Sequence, residues 1–483
     1  MNRRLAPVVP AAFSVAVYAP LILRRSAWSD DFPLLLHGGN MTKIFADGRP
    51  VLALLNRLVF GSMDTIGGLA AARGLGLLGI AFLLAYLTRL LLELGWSPKA
   101  AILTGMSIGL LPPFHAYAGW ASVFSFPWVM LLGAFAGHRW LQALEERRRA
   151  DACFALVAMT LALLTYPPAA MFCWAPPALR LLCRPASPRS GVVDAYRTGL
   201  LVALSGPISL LIARLTMAVL DIQADHRFQF IDSIPDLVEK ARWFATRPIG
   251  VAARPFLISS PSDLVGLFTA IPVLVFLSFG LLLRFKGPIV RRLATMAILG
   301  LMTALTMLSH LLSVDNQVEY RFMAGLIVVT WIALIVAGRE LLSRTLARFG
   351  IGIDVAMIGV LAMLLVIVPA TVATLRNVNQ VFVRPAVVKE AHLLEQLSGF
   401  NPEQHHRLIV IDAPGSWPTR QNLGIYSVRT DLAHPWVIKD NLRLLLAESF
   451  DFDVTPEIRV VDKPSNPRTG EFVVDLRPLV NRL

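Results

Sequence analysis

Cysteine and charge are both scarce in this sequence. The three cysteines among 483 residues, Cys153, Cys173 and Cys183, all lie in or beside two neighbouring apolar stretches. They offer neither a disulfide framework nor metal-ligand spacing. Charged residues make up 16% of the chain and hydrophobic ones 55%, which is too apolar for an ordinary soluble domain. There is no Walker A sequence, no His-Glu-x-x-His helix and no Gly-x-Ser-x-Gly elbow, so ATP hydrolysis, zinc proteolysis and serine hydrolysis find no support. Gly74-Leu75-Gly76-Leu77-Leu78-Gly79 does match the dinucleotide fingerprint, but it sits inside an apolar run. Without a preceding strand or a correctly spaced acidic residue, its glycines read as helix-packing positions. Internal repeats and low-complexity tracts are absent too, which weighs against transporters built from repeats. The histidines, including His405 and His406, are scattered through loops and helix ends and read as structural.

What the chain has in quantity is apolar stretches of the length needed to cross a bilayer. They fall near 5–23, 66–88, 100–118, 120–137, 152–165, 169–183, 198–219, 264–283, 293–312, 322–338 and 353–373. The expected architecture is a mainly α, polytopic membrane bundle of about 11 spans. The count drops to 9 if the fifth and sixth stretches, joined by Tyr166-Pro167-Pro168 and interrupted at Pro176-Pro177, only dip into the membrane. The first stretch is one of many, unlike a cleaved signal peptide, and is expected to be retained.

Basic residues mark the cytoplasmic side of short loops. They accumulate on alternate connections, around Arg3, Arg89, Arg139, Arg147, Arg184, Arg197, Arg284, Arg292 and Arg339, and these carry nearly all of the formal +13 charge. The strong basicity is therefore a topology signal, with no case for a nucleic-acid partner. The assignment puts the N-terminus inside. It puts segments 24–65 and 220–263 and the tail from 375 outside, dividing the chain into a membrane domain, 1–374, and a soluble domain, 375–483.

In the first outer segment, Ile44, Leu52, Leu55 and Val59 recur at helical spacing and predict a short interfacial helix. The second mixes Phe228, Phe230, Ile234, Leu237, Trp243 and Phe244 with charges, and such an amphipathic segment can cover an outward-facing cavity. The tail predicts a helix over 386–398, strand "RLIVID", helix "WVIKDNLRLLLAES", then strands "EIRVV" and "EFVVDL". Bounded by turns such as Ala413-Pro414-Gly415, it reads as a small α/β or α+β domain whose Trp417 and Trp436 would permit glycan recognition.

Two adjacent aspartates, Asp30 and Asp31, follow the first apolar stretch in "SAWSDDFPLLLHGG". They can be a solvated turn or a helix cap. Carboxylates near membrane depth are costly unless they face water or a partner, so they also mark functional cavities. Cations share that side against the usual charge bias: Arg24, Arg25, Arg49, Arg57 and, opening the tenth stretch, Arg321. Either they snorkel to headgroups or they hold a phosphate, for which a guanidinium is well shaped. Arg214 lies in a span near its outer end and can line the same cavity, pair internally or snorkel; Arg73 also lies within a span. Transfer of a sugar from a polyprenyl phosphate needs one base for the acceptor hydroxyl and cations for the departing phosphate. Neighbours in extended chain point oppositely, so the two aspartates do not read as a hydrolase acid/base pair. One serves as base while the other orients it, binds acceptor hydroxyls or helps hold a divalent ion such as magnesium or manganese.

"WSDDF" followed by "ADGRPVLALLNRLVFG" resembles the GT-C membrane glycosyltransferases, and within them the bacterial O-antigen glucosyltransferase type, over about residues 27 to 60. The resemblance implies a bacterial inner-membrane enzyme and a polyprenyl-phosphate sugar donor; it does not cover the tail, which the charge pattern alone places outside, in the periplasm. It also implies a cell-envelope glycan or lipid acceptor, Asp30 or Asp31 as the base, and Arg49 and Arg321 as phosphate or structural partners. Two other classes compete: a transporter or flippase of lipid-linked glycans, and an O-antigen polymerase or ligase type of enzyme. Spans nearly free of charge apart from Arg73 and Arg214 favour the transferase over transport.

Overall fold

The computed structural model describes residues 3–39, 42–184, 187–225, 230–258, 264–350, 354–412, 435–450, 456–461 and 468–481. Trp417, Phe228 and the turn at 413–415 lie outside the described residues. The chain is mainly helical. A first helix, α1 (Val8–Ile22), leads to three short ones, α2 (Asp31–Leu36), α3 (Thr42–Ala46) and α4 (Pro50–Phe60). Then come α5 (Leu69–Glu93), α6 (Pro98–Gly109), α7 (Pro112–Gly119), α8 (Phe126–Glu146), α9 (Arg149–Thr165), α10 (Pro167–Ala170), α11 (Ala175–Cys183) and α12 (Pro188–Val219). The second half of the bundle holds α13 (Ile234–Thr246), α14 (Pro248–Ala252), α15 (Leu264–Arg284), α16 (Ile289–Leu305), α17 (Leu308–Leu312), α18 (Tyr320–Arg348) and α19 (Val355–Val378).

Every predicted apolar stretch falls on helical chain, but the helices are unequal. Among the described residues five helical stretches, Ile66–Glu93, Ala121–Glu146, Pro188–Val219, Tyr320–Arg348 and Val355–Leu397, are long and apolar enough to cross a membrane. Others are shorter or broken: Pro112-Pro113 separates α6 from α7, and the Pro167 and Pro176 pairs cut the 167–183 segment into α10, a 3₁₀ turn and α11. This last hairpin is packed into the core, with Ala170, Phe172, Cys173 and Leu179 fully or almost fully buried. Gly133 and Gly137 of α8 permit that approach. A Cβ on either would stand 2.5 Å or less from the carbonyl oxygen of Ala170 or Cys173, the close contact that glycines four residues apart allow. Gly76 and Gly79 of α5 likewise face Tyr117 and Trp128 at contact distance. In contrast, α12, α15 and α19 expose Leu211, Leu215, Val275, Leu365 and Val372, side chains suited to lipid tails.

The connections sort into two groups at opposite ends of the bundle. On one side Arg180 pairs with Glu145 at 2.6 Å, Arg184 donates to the Glu93 carbonyl and Arg284 to that of Cys183. Those are the basic connections. On the other side, 24–65, 119–122, 166–168, 230–258 and 313–319 meet, as described below.

The tail's elements form where the sequence pattern places them: α20 (Arg384–Leu397), β1 (Arg407–Ile411), α21 (Pro435–Phe450), β2 (Glu457–Val461) and β3 (Glu471–Asp475). The strands make a parallel sheet in the order β2-β1-β3. Two differences from expectation bear on the site. The proposed boundary at 374/375 falls inside a continuous helix, because α19 passes through a π turn (Asn379–Val383) into α20. The tail also shares one apolar core with the first outer segment: Phe32, Leu34, Leu35 and Phe60 pack with Leu393, Val437, Ile438 and Leu442. Glu448 of α21 fastens that contact by accepting from the Ile66 N–H and the Arg25 guanidinium. Glu448→Ala leaves a buried N–H unpaired, so it is expected to cost about 1–3 kcal/mol of tail docking. Faster limited proteolysis of the tail, with the membrane bundle still intact, is the measurement that checks it.

Candidate functional site

The two aspartates do not sit in extended chain. Asp30 is helical in backbone (φ −65°, ψ −13°) and Asp31 opens α2, so their side chains diverge by about 100° around a helix axis. Their environments diverge further. Asp31 is fully buried. Its carboxylate accepts the Ser122 N–H at 2.7 Å, the Trp28 N–H at 3.0 Å and the Ala121 N–H at 3.4 Å. Burial pushes this carboxyl up to about 7, against the N–H of Ser122, the charge of Arg73 and the N–H of Trp28, while the neighbouring charge of Asp30 pushes it the same way as burial. Asp31 thus joins the first outer segment to the 119–122 corner.

Arg73, near the N-terminal end of α5, secures the same segment. Its guanidinium is buried and donates to the Ser26 carbonyl at 2.5 Å and the Arg24 carbonyl at 2.9 Å. A charge that reads in sequence as lying within a span is a clamp on the chain entering the aspartate pair.

Asp30, by comparison, is partly exposed, and among the described residues its carboxylate makes no hydrogen bond or ion pair. It acts electrostatically on Arg321 without touching it. Arg321 sits at the start of α18 with 16% of its side chain exposed, and its Nε donates to Glu319 at 2.6 Å. The guanidinium lies 5.0 Å from the centre of the Trp120 ring and 4.8 Å from that of Phe322. Its terminal nitrogens make no hydrogen bond among the described residues. An aromatic seat and one carboxylate at Nε hold the fork in place.

Arg49 reaches the same place for a local reason. The expected single helix over the first segment is two, α3 and α4, broken at Gly48-Arg49-Pro50. Gly48 takes φ +73°, which glycine adopts at no steric cost, and Pro50 keeps Arg49 out of the helical region at φ −120°, ψ 60°. The corner carries the Arg49 guanidinium 5.1 Å from the centre of the Tyr166 ring, with Asp47 3.6 Å from one of its nitrogens. Arg49 and Arg321 act together on both Tyr166 and His310. Lys240 of α13 closes the group: its Nζ donates to the Asp315 carbonyl at 2.6 Å and it too acts on His310. Trp243 is buried as expected of the second segment's apolar face, whereas Ile234 and Leu237 are exposed.

The structure therefore brings Asp30, Arg321 and Arg49 into one cluster at the end of the bundle away from the basic connections. Arg214 is not enclosed with them. It is exposed near the C-terminal end of α12, beside Ala213 and Met217, which pack with Leu164 and Val51. The donor set also argues against a divalent ion held jointly by the two aspartates, since N–H groups occupy both oxygens of Asp31. Among the described residues no group of three or more His, Cys, Asp or Glu is placed to hold a metal. Sequence reasoning missed Trp120, Tyr166 and His310 as members of the cluster. The signal for the first two was their place in very short outer turns. No protein-family model matches the chain, and no curated protein matches it at a significant level.

Proposed function

We propose that this membrane protein is a GT-C type glycosyltransferase that moves a sugar from a polyprenyl-phosphate donor to a cell-envelope glycan or lipid. In this reading Asp30 takes the proton of the acceptor hydroxyl. The new bond forms from that oxygen to the anomeric carbon, the bond from that carbon to the phosphate oxygen breaks, and the polyprenyl phosphate leaves against Arg321 and Arg49. The observation that carries the reading is the separation of environments within the pair: Asp31 is spent on backbone N–H groups, while Asp30 is partly exposed, makes no hydrogen bond or ion pair among the described residues, and acts electrostatically on Arg321. A carboxylate without a partner among the described residues, grouped with cations, supplies the two things that displacement at a phosphate-bearing carbon needs, a base for the acceptor and positive charge for the leaving phosphate. The face holding the cluster and the tail is read as periplasmic, and the basic face as cytoplasmic.

The test is transfer by the purified full chain from polyprenyl-phosphate-linked sugars to envelope acceptors, with released polyprenyl phosphate as the readout. The wild type is expected to turn over and Asp30→Asn to fail. Equal turnover by the Asp30→Asn protein would remove the base, and the reading with it.

A further inference from the structure

Tyr166 is a residue whose chemistry the ring packing around it leaves unused. Its position follows from the sequence: Pro167 forces the preceding residue out of the helical region, so Tyr166 is extended (φ −157°, ψ 94°), ends α9 and begins the turn into α10. The ring is 1% exposed and stacks on Phe126 at 3.5 Å. Its hydroxyl is buried and has no hydrogen-bond partner among the described residues. Buried polar groups in folded proteins are nearly always paired, and an exception calls for a ligand, an ion or a water. The charges acting on this phenol are Arg321 and Arg49, then Glu319 and Asp47.

We propose that the Tyr166 hydroxyl is a ligand donor that, with Arg49 and Arg321, completes an oxyanion site for the phosphate group of a polyprenyl phosphate. The proposal rests on the transferase reading for the ligand's identity, but the site itself stands on the buried, unpaired hydroxyl of a ring that carries Arg49 over its face and feels the charge of Arg321. A phenol adds what the arginines lack, a short neutral donor fixed by ring stacking. It therefore gives direction to the phosphate without adding charge. The carboxylates of Glu319 and Asp47 hold the two forks in place and offset part of their positive charge.

Tyr166→Phe removes only the hydroxyl and keeps the stacked ring. Binding of a short-chain polyprenyl phosphate to the purified full chain, followed by intrinsic tryptophan fluorescence, is expected to weaken about tenfold to a hundredfold, the usual range for one hydrogen bond to a charged group. The apparent melting temperature should stay the same or rise, because no intramolecular bond is lost. Unchanged affinity in the Phe variant would overturn the proposal. So would a lowered melting temperature with unchanged affinity, which would make the hydroxyl structural. Inorganic phosphate serves as the second probe: a Tyr166-dependent loss with it also supports the site and shows that the headgroup alone is read. Failure of the wild type to bind either probe overturns it. Asp30→Asn separates the two readings, since it should abolish transfer while leaving phosphate binding intact. Normal transfer by that variant would remove the transferase reading and leave the binding result to be judged by itself.

Discussion

Asp30→Asn is expected to lower kcat for sugar transfer by about two to four orders of magnitude, the usual worth of a positioned general base. The apparent melting temperature should change little. The size follows from the chemistry: a sugar hydroxyl is a poor nucleophile until its proton has somewhere to go, and an amide of the same shape cannot take it. The small stability change follows from the structure, because Asp30 is partly exposed and, among the described residues, its carboxylate has no partner to lose. KM for the donor should hold within a few-fold, since the phosphate is assigned to Arg321 and Arg49. A rise in donor KM with kcat preserved would instead make Asp30 a binding group.

The bundle was legible because membrane helices announce themselves through composition alone. Less legible was how each apolar stretch is built. Pro112-Pro113 breaks a stretch that hydropathy draws as continuous, and although the interruption at Pro176-Pro177 was readable, its consequence depends on tertiary packing, with Gly133 and Gly137 admitting the hairpin against α8. The tail's strands and helices were readable from their periodicities. Its docking was not, because the apolar faces of α2 and α21 look the same in sequence whether they meet each other or a core of their own. The α19–α20 continuity was hidden for a similar reason: a change in composition at 374 marks a change of surroundings, and helical backbone can run straight through it.

At the site, sequence identified residue types and side of the bundle but not division of labour. Asp30 and Asp31 are chemically identical and adjacent. What separates them is the 119–122 corner, 90 residues away, whose N–H groups converge on Asp31 alone. Arg49 was visible through its Gly-Arg-Pro setting, and the structure supplies the mechanism of that setting: a left-handed glycine and a proline turn the chain between them. Arg214 shows the opposite limit, since closeness to the outer end of a span did not make it part of the enclosed cluster. Tyr166 was read as a joint between two helices, and its neighbours Arg49 and Arg321 come from segments more than a hundred residues to either side.

Asp31→Ala is expected to be the most destabilising single change at the site, at about 3–5 kcal/mol, because it strands three buried N–H groups, each costing about 1–3 kcal/mol when unpaired. Asp31→Asn should cost less, since its oxygen still serves Ser122, although its amide then faces N–H donors at Trp28 and Ala121. The pH dependence distinguishes this role from a general packing defect. The native carboxyl holds its proton up to about 7, whereas an ordinary aspartate releases it near 3.8. Between those values the native state binds more protons than the unfolded chain, so the contribution is fully present in acid and is lost as pH rises through about 7. Asparagine has no such titration. The stability gap between the wild type and Asp31→Asn, measured by thermal unfolding in detergent, should therefore narrow from pH 5 to pH 8. A gap independent of pH would mean that Arg73 and the three N–H groups keep Asp31 ionised throughout. The first outer segment would then be held to the 119–122 corner by a permanent buried charge, and the corner carrying Trp120 beneath Arg321 would be equally firm at every pH.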